Sequence, residues 1–496
     1  MIFLGIDLGS SSIKVSLFDA EKGKVIGSGH YPDDEQVIES PQQGWAEQKP
    51  EMWWENFKKA YKRVLKKTGV DSKTIKAIGI SYQMHGLVTV DKDGQSIRPS
   101  IIWCDSRAVP YGNQAFNDLG KDYALEHLLN SPGNFTAAKL AWMKDNEPEK
   151  YEKIAYWFLP GDYFAFRFTG HPTTTKSGLS EGIFWDFERQ EISSKLMDYY
   201  GFDSSHIPDI VPSIGQQGSI SAETADELGL SDDVKITYRA GDQPNNAFSL
   251  DVVRPGEVAA TAGTSGVIYA VTDKNMYDQK SRINTFLHVS NNDDELRNGV
   301  LICVNGTGIL YSWLKKILNT GGEHVSYDKM NTLVKKADPG ASGLKFYPFG
   351  NGAERVLGNK VVNAHLVGID FNIHKAEHLV RAGMEGIIYA LMIGFDIMQD
   401  HDFDVKSIKA GHANLFLSET FRDMFANITK TPVELFDTDG AAGAARGAAL
   451  GYGFYNNFDE TFESLQKIDH IDPDNEKMDR YAELYDEWKQ SLPLKN

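Results

Sequence analysis

The chain has 496 residues and a mass of 55.3 kDa, enough at roughly 150 residues per domain for two to four domains with a substantial core. Apolar residues make up 41% and charged residues 24%, which excludes a disordered, collagenous or low-complexity chain. Lys and Arg number 51 against 69 Asp and Glu, a formal net charge of -18, so no global field draws in nucleic acid or an anionic membrane, and any polyanion must be held locally by backbone N–H groups, helix N-termini or a metal ion.

In chain order, the first residues carry no basic stretch and meet an acid at Asp7, so no secretory signal is expected and the protein is expected in the cytoplasm. Met1 to Leu8, Ile13 to Phe18 and Lys24 to Tyr31 read as three successive strands. Asp7 stands just before a turn of Gly9, Ser10, Ser11 and Ser12. A carboxylate there can hold a hydrated Mg2+ facing phosphates that rest on the turn, or can cap the hairpin as an Asx-turn acid. Pro50 opens a helix over Glu51 to Lys67, with Trp53, Phe57, Tyr61 and Val64 at helical spacing. Strands follow at Ile75 to Tyr82, Leu87 to Val90 and Ile101 to Trp103, and Gln83-Met84-His85-Gly86 interrupts the first two. An apolar wall and one hydrogen-bonding ring at a strand end suit recognition of a small polyol.

After a strand at Val234 to Tyr238, Asp242 falls in the polar run Gly241-Asp242-Gln243-Pro244-Asn245-Asn246. Such a loop can present a base to a bound hydroxyl, although an Asp there also serves well as a helix N-cap. The domain boundary is expected near Leu250 to Val253, before Arg254-Pro255-Gly256, dividing residues 1–250 from 251–496. Strands Glu257 to Ala262 and Val267 to Thr272 then repeat the opening hairpin, and helices dominate thereafter. Leu379 to Met398 contains Arg381 and Glu385 and reads as a buried amphipathic helix, not a membrane span. Asp459 to Asn496 reads as a charged, exposed terminal helical region.

The repetition of the hairpin is specific in register. Gly9 to Asp19 aligns without a gap on Gly263 to Asp273, 254 residues later, as in two related domains joined in tandem. Each turn, including Thr264 and Ser265 in the second, either offers N–H groups and hydroxyls to a phosphate or is an ordinary hairpin turn. No G-x-x-x-x-G-K-[ST] loop and no protein-kinase motif trio occurs. His374-Lys375-Ala376-Glu377-His378 fits an H-x-x-E-H zinc pattern by chance, with His378 near a helix start. Cys104 and Cys303, the two cysteines, have no metal-type spacing.

Taken together, these segments resemble carbohydrate kinases of the FGGY family, in the actin-like, ribonuclease H-like ATPase group. The resemblance rests on Gly5 to Ser11, Gly44 to Gln48, Gln83 to Gly86, Trp103 to Arg107, Gly241-Asp242, Gly263 to Gly266, Ala364 to Ile369 with Ala382 to Glu385, and Gly440 to Ala445, and it spans nearly the whole chain. It implies an α/β protein of two actin-like domains with a central ligand cleft, a sugar-binding N-terminal domain and a nucleotide-binding C-terminal one. It implies ATP and Mg2+, and transfer to the terminal hydroxyl of a ketopentose, D-xylulose before ribulose, another sugar or glycerol. By resemblance Asp242 is the catalytic base, Gln83, Met84, His85 and Asp242 meet the sugar, and Asp7 serves the metal. Ser10, Ser11, Gly263, Thr264, Ser265, Gly306, Gly411 and Asn414 meet the nucleotide. The partners implied are the sugar and ATP, without nucleic acid or membrane, and with room for a homodimer. The other reading, an actin-like ATPase without a sugar substrate, is disfavoured by His85 and the polar loop at Asp242.

Overall fold

Two sheets that share a six-strand order, the second with an added edge strand at Asn284–Leu287, organise the chain in the computed structural model, which describes residues 1–319 and 325–493. In the first sheet Ile2–Leu8 pairs antiparallel with Ile13–Asp19, which pairs antiparallel with Lys24–Tyr31. On its other side Ile2–Leu8 runs parallel to Ile75–Tyr82, and that strand runs parallel to Lys235–Gly241. The second sheet repeats this order. Glu257–Ala262 is antiparallel to Gly266–Thr272, which is antiparallel to Asn298–Val304, and Glu257–Ala262 is parallel to Ser407–Gly411, which is parallel to Val433–Phe436. The tandem echo in the sequence is therefore a duplicated sheet topology, with the two hairpin turns at equivalent positions.

Strand alternation assigns the faces of the first sheet. Leu4, Ile6, Val15, Leu17, Ile78 and Ile80 bury one face against Trp53, Phe57 and Val64 of the helix Pro50–Thr68. Phe3, Phe18, Ala77 and Tyr238 bury the other against Ala444, Ala445 and Ala448 of the helix Gly440–Tyr452, which comes from the far end of the chain. That second face is unusually flat. Gly5 and Gly79 are register partners, and a Cβ added to them would lie 1.9 Å from Ala441 O and 2.0 Å from Ala444 O respectively. Glycine is required at both positions because helix backbone, not side chain, fills the space.

The helix Asp242–Ser249 makes the complementary crossing: it follows the strand Lys235–Gly241 of the first sheet, yet Ala247 packs with Ala259, Tyr269 and Val271 of the second. The two crossing helices touch, since a Cβ on Gly443 would sit 2.5 Å from Ser249 Cβ.

Three expectations need correction. Val88–Val90 and Ser100–Ile101 are strands, but they form small pairs with Tyr156–Phe158 and Glu47–Gln48 outside the main sheet, as their short lengths allow. Asp242 is neither in a loop nor the N-cap: it is the first helical residue, with Gly241 as the cap. The region from Asp459 onward is not uniformly exposed and helical. Lys467–Ile471 is an edge strand on Val433–Phe436, and the helix Asn475–Gln490 buries Tyr481, Leu484, Tyr485 and Trp488. Residues 494–496 lie outside the described residues. The apolar stretch from Leu379 lies within the helix Ala376–Gln399, where His378 Nδ1 accepts the Lys375 N–H, and no helix among the described residues is long and apolar enough to cross a membrane.

Candidate active site

The C-terminal ends of the three parallel strands in the first sheet carry the candidate sugar and metal residues. Open parallel sheets place ligands at this edge because loops there splay apart and leave a crevice. Asp7, half-buried near the end of Ile2–Leu8, accepts a hydrogen bond from Ser81 Oγ at 3.1 Å. Burial raises its pKa, the Lys14 charge opposes the rise and the Asp439 carboxylate adds to it. Asp242 follows Lys235–Gly241. Burial and the nearby charge of Asp7 push its pKa up to about 7, partly offset by hydrogen bonding from Gln243. Asp439 caps the helix Gly440–Tyr452 by accepting the Ala442 N–H at 2.9 Å. A Cβ on Gly440 would lie 2.7 Å from Asp7 Oδ2, so the start of that helix abuts Asp7.

Gln83, Met84 and His85 leave the end of Ile75–Tyr82. The Gln83 N–H donates to Leu8 O at 2.8 Å, tying this turn to the strand of Asp7. Gln83 is buried, its Nε2 donates to Gln48 Oε1 at 3.3 Å, and its Oε1 has no partner among the described residues. Met84 is buried against Gly241, where an added Cβ would meet its Cγ at 2.6 Å. His85 has a left-handed backbone with φ of 62°. Its N–H donates to Glu181 Oε1 at 3.1 Å, its carbonyl accepts from Lys139 Nζ at 2.7 Å, and its Nδ1 lies 3.2 Å from Glu181 O. Burial, with the Lys139 charge adding, lowers the imidazole pKa to about 3, so the ring is neutral. A carbonyl only accepts, hence Nδ1 carries the proton and Nε2 is an acceptor.

Across the molecule, Gly263, Thr264 and Asn414 line a cavity of about 570 Å³. The carbonyls of Gly263 and Thr264 accept the N–H groups of Gly308 and Ile309, which fixes the second hairpin turn to the start of the helix Gly308–Leu318. Ile309, Leu415 and Leu417 give the cavity apolar walls. Tyr311 and Tyr327 stack with ring centroids 5.8 Å apart, and Tyr311 Oη is 3.0 Å from Asn331 Oδ1. Ser265, Gly306 and Gly411 do not line it. Gly306 packs against Pro348, whose carbonyl an added Cβ would meet at 1.5 Å, and Gly411 ends the strand Ser407–Gly411. At the first turn, Ser10 Oγ accepts from Trp103 Nε1 at 3.3 Å, while Ser10 O and Ser11 O accept from Gln48 Nε2 and the Gln36 N–H.

Residues 2–249 match the model of the FGGY carbohydrate kinase N-terminal domain, and residues 258–452 that of the C-terminal domain. The chain belongs to the FGGY family of carbohydrate kinases. This FGGY kinase is 30% identical over 499 residues to the xylulose kinase of Bacillus subtilis, covering 98% of this chain and 95% of that one. It is similar in structure to the xylulose kinase of Rhodospirillum rubrum, with a TM-score of 0.88, 23% identity, and 99% and 98% of the two chains covered. It is equally similar to Plasmodium falciparum glycerol kinase with ADP, with a TM-score of 0.88, 19% identity, and 100% and 99% covered. These likenesses show the two-domain, actin-like fold that the duplicated sheets embody.

Several side chains at the candidate site of this FGGY kinase escape sequence reasoning. Tyr311, Tyr327 and Asn331 join Thr264 in one cavity only through tertiary packing. The turn Asn305-Gly306-Thr307-Gly308 before an apolar helix is the one local signal that could have pointed to them. Lys139 is fully buried in a helix, its pKa lowered to about 7 by burial. Glu181 sits between Ser180 and Gly182 and looks like a surface acid in sequence, yet it is 2% exposed.

Proposed function

We propose that this kinase transfers the γ-phosphoryl group of ATP to the terminal hydroxyl of D-xylulose, with Asp242 as the base. The observation that carries the reading is the setting of Asp242, a carboxylate whose pKa is pushed up to about 7. It lies against the Gln83–His85 turn through Gly241, and it feels the charge of Asp7. The names of the relatives, including the xylulose kinase of Bacillus subtilis at 30% identity, supply the sugar.

In this reading residues 1–250 hold the sugar and 251–496 the nucleotide. The orphan Gln83 Oε1 and the neutral His85 ring offer acceptors to sugar hydroxyls, and Met84 gives an apolar wall. The cavity at Gly263, Thr264 and Asn414 takes the adenosine, and the two hairpin turns, with Ser10, Ser11, Thr264 and Ser265, face the phosphates. Asp242 orients the hydroxyl in line and accepts its proton late, as a loose phosphoryl-transfer transition state requires. Asp7, with Asp439 nearby, offers the all-oxygen donors that Mg2+ prefers, and a cation would offset the burial and the Asp439 charge that raise the Asp7 pKa. Mg2+ bound there would screen the phosphate charge.

Two outcomes check this reading. In a panel of sugars assayed by ADP release, D-xylulose should give the highest kcat/KM; better turnover of ribulose, gluconate or glycerol would overturn the choice of sugar. The pH profile tests the base. Asp242 works ionised, so kcat/KM should be flat above about pH 7 and fall roughly tenfold per pH unit below it. The corresponding limb of kcat should lie lower, because Mg2+ beside Asp7 would favour the ionised form. An acidic limb that stays below pH 5 in kcat/KM would contradict the setting of Asp242.

A further inference from the structure

We propose that Glu181 is a positioning residue that locks the sugar-recognising turn at Gln83–His85 to the strand end carrying Asp242. The inference rests on the proposed sugar site, and it assigns a role to a buried acid that the phosphoryl-transfer step does not use.

Glu181 is the last residue of the short helix Lys176–Glu181 and is 2% exposed. Both carboxyl oxygens and the main-chain carbonyl are engaged with the sugar side of the site. Oε1 accepts the His85 N–H at 3.1 Å. Oε2 is 3.2 Å from Tyr82 Oη, on the strand that leads into Gln83. The main-chain carbonyl accepts from His85 Nδ1 at 3.2 Å and so fixes the imidazole tautomer. Oε2 also lies 2.6 Å from where a Cβ on Gly241 would stand, against the residue preceding Asp242. One side chain thus touches both segments that must be held in register: the turn that orients the sugar and the strand end that presents the base.

The left-handed backbone of His85 makes this contact matter. A non-glycine residue at φ of 62° is strained and persists only where its surroundings over-determine it. Here the surroundings are Glu181 on the N–H, Lys139 on the carbonyl, and Phe135 and Phe286 against the ring at centroid distances of 4.7 and 5.4 Å. Without the Glu181 carboxyl, the His85 N–H is left as a buried donor with no acceptor, which favours relaxation of the turn.

No cation lies within ion-pair distance of Glu181 among the described residues. Burial raises its pKa well above the ordinary range; the hydrogen bonds from the His85 N–H and Tyr82 Oη oppose the rise, and the charges of Asp162 and Asp242 add to it. A neutral carboxyl is closely matched in shape and hydrogen bonding by an amide. Glu181→Gln should therefore keep the lock, whereas Glu181→Leu fills the space and loses both acceptors.

The comparison is made on purified full-length protein, with whichever sugar of the panel is turned over best, so that a wrong choice of sugar does not bear on it. Glu181→Leu is expected to raise the sugar KM by roughly tenfold or more and to lower kcat several-fold, with the KM for ATP within twofold. Glu181→Gln is expected to return the sugar KM to within about threefold of the parent. Hydrogen exchange at the His85 amide in the unliganded proteins gives a readout that needs no substrate: fast in Glu181→Leu, protected in the parent and in Glu181→Gln. A Glu181→Leu protein with parental sugar KM, or an equal rise in the KM for ATP, would overturn the proposal. So would a Glu181→Gln protein as impaired as Glu181→Leu.

Discussion

Asp242→Asn is expected to lower kcat by roughly 10²-fold or more, the order of a general-base contribution, while the KM for sugar stays within a few-fold. The amide keeps the shape of the carboxylate and its place as the first residue of the helix Asp242–Ser249, but one acceptor oxygen becomes a donor and the basicity is gone. The stability of this variant is an independent check. A carboxyl whose folded-state pKa is raised to about 7 favours the folded protein most at low pH, and that advantage is lost as the pH rises through the folded value. At pH 8 the parent therefore holds a buried, ionised carboxylate at Asp242 beside Asp7, and the Asn variant holds a neutral amide there. Its melting temperature at pH 8 should equal or exceed that of the parent, and the difference should shrink toward pH 5. A purely structural role at the first helical position predicts the reverse for activity, because the amide keeps the shape of the side chain and turnover would change little. Near-parental turnover by the variant would remove Asp242 from the chemistry.

The second large effect concerns stability. Gly79→Ala is expected to destabilise the protein by about 3 kcal/mol, the upper part of the usual range for overpacking, and to lower activity as well. The added methyl would stand 2.0 Å from Ala444 O and 3.2 Å from Ala448 Cβ, so the helix Gly440–Tyr452 must lift from the sheet. Its first residue abuts Asp7 and its cap is Asp439, so a lifted helix also disturbs the metal side of the site. Adding Ala448→Gly would remove the side-chain contact but not the one with backbone, and should restore little. A Gly79→Ala protein that melts within 2 °C of the parent would mean that this helix does not seat on Gly5 and Gly79.

How legible these features are in sequence depends on whether their cause is local. The two hairpins are legible because a Gly/Ser/Thr turn between apolar strands is a complete local instruction, and their repetition shows the duplication. The placing of Asp7 and Asp242 at the ends of strands is legible because each stands next to the last residue of an apolar strand, beside turn residues, whereas the helical state of Asp242 is not. The strand Lys467–Ile471 is not, because an edge strand with a mostly exposed, charged pattern carries little apolar alternation. The stripe of Gly and Ala in Gly440–Tyr452 signals close packing without naming the partner, and that partner lies more than 400 residues away, at Gly5. Glu181 is hidden for the same reason: its burial comes from Tyr82, His85 and Gly241, none of them near it in the chain.

The late position of that helix has a consequence for how the protein is made. As the chain leaves the ribosome, the first sheet can assemble once Lys235–Gly241 is out, and the helix Pro50–Thr68 already covers one face. The face built from Phe3, Phe18, Ala77 and Tyr238 meets Phe248 at Tyr238, but it lacks the cover of Ala444, Ala445 and Ala448 until Gly440–Tyr452 emerges. At about 5–20 residues per second, the intervening stretch of roughly 200 residues takes on the order of 10–40 s. Throughout that interval the nascent protein presents a flat apolar face to the cell. Chaperone occupancy during synthesis should therefore fall only after residue 452 clears the exit tunnel, and a chain truncated before Gly440 should stay chaperone-bound or aggregate even though every strand of its first sheet is present.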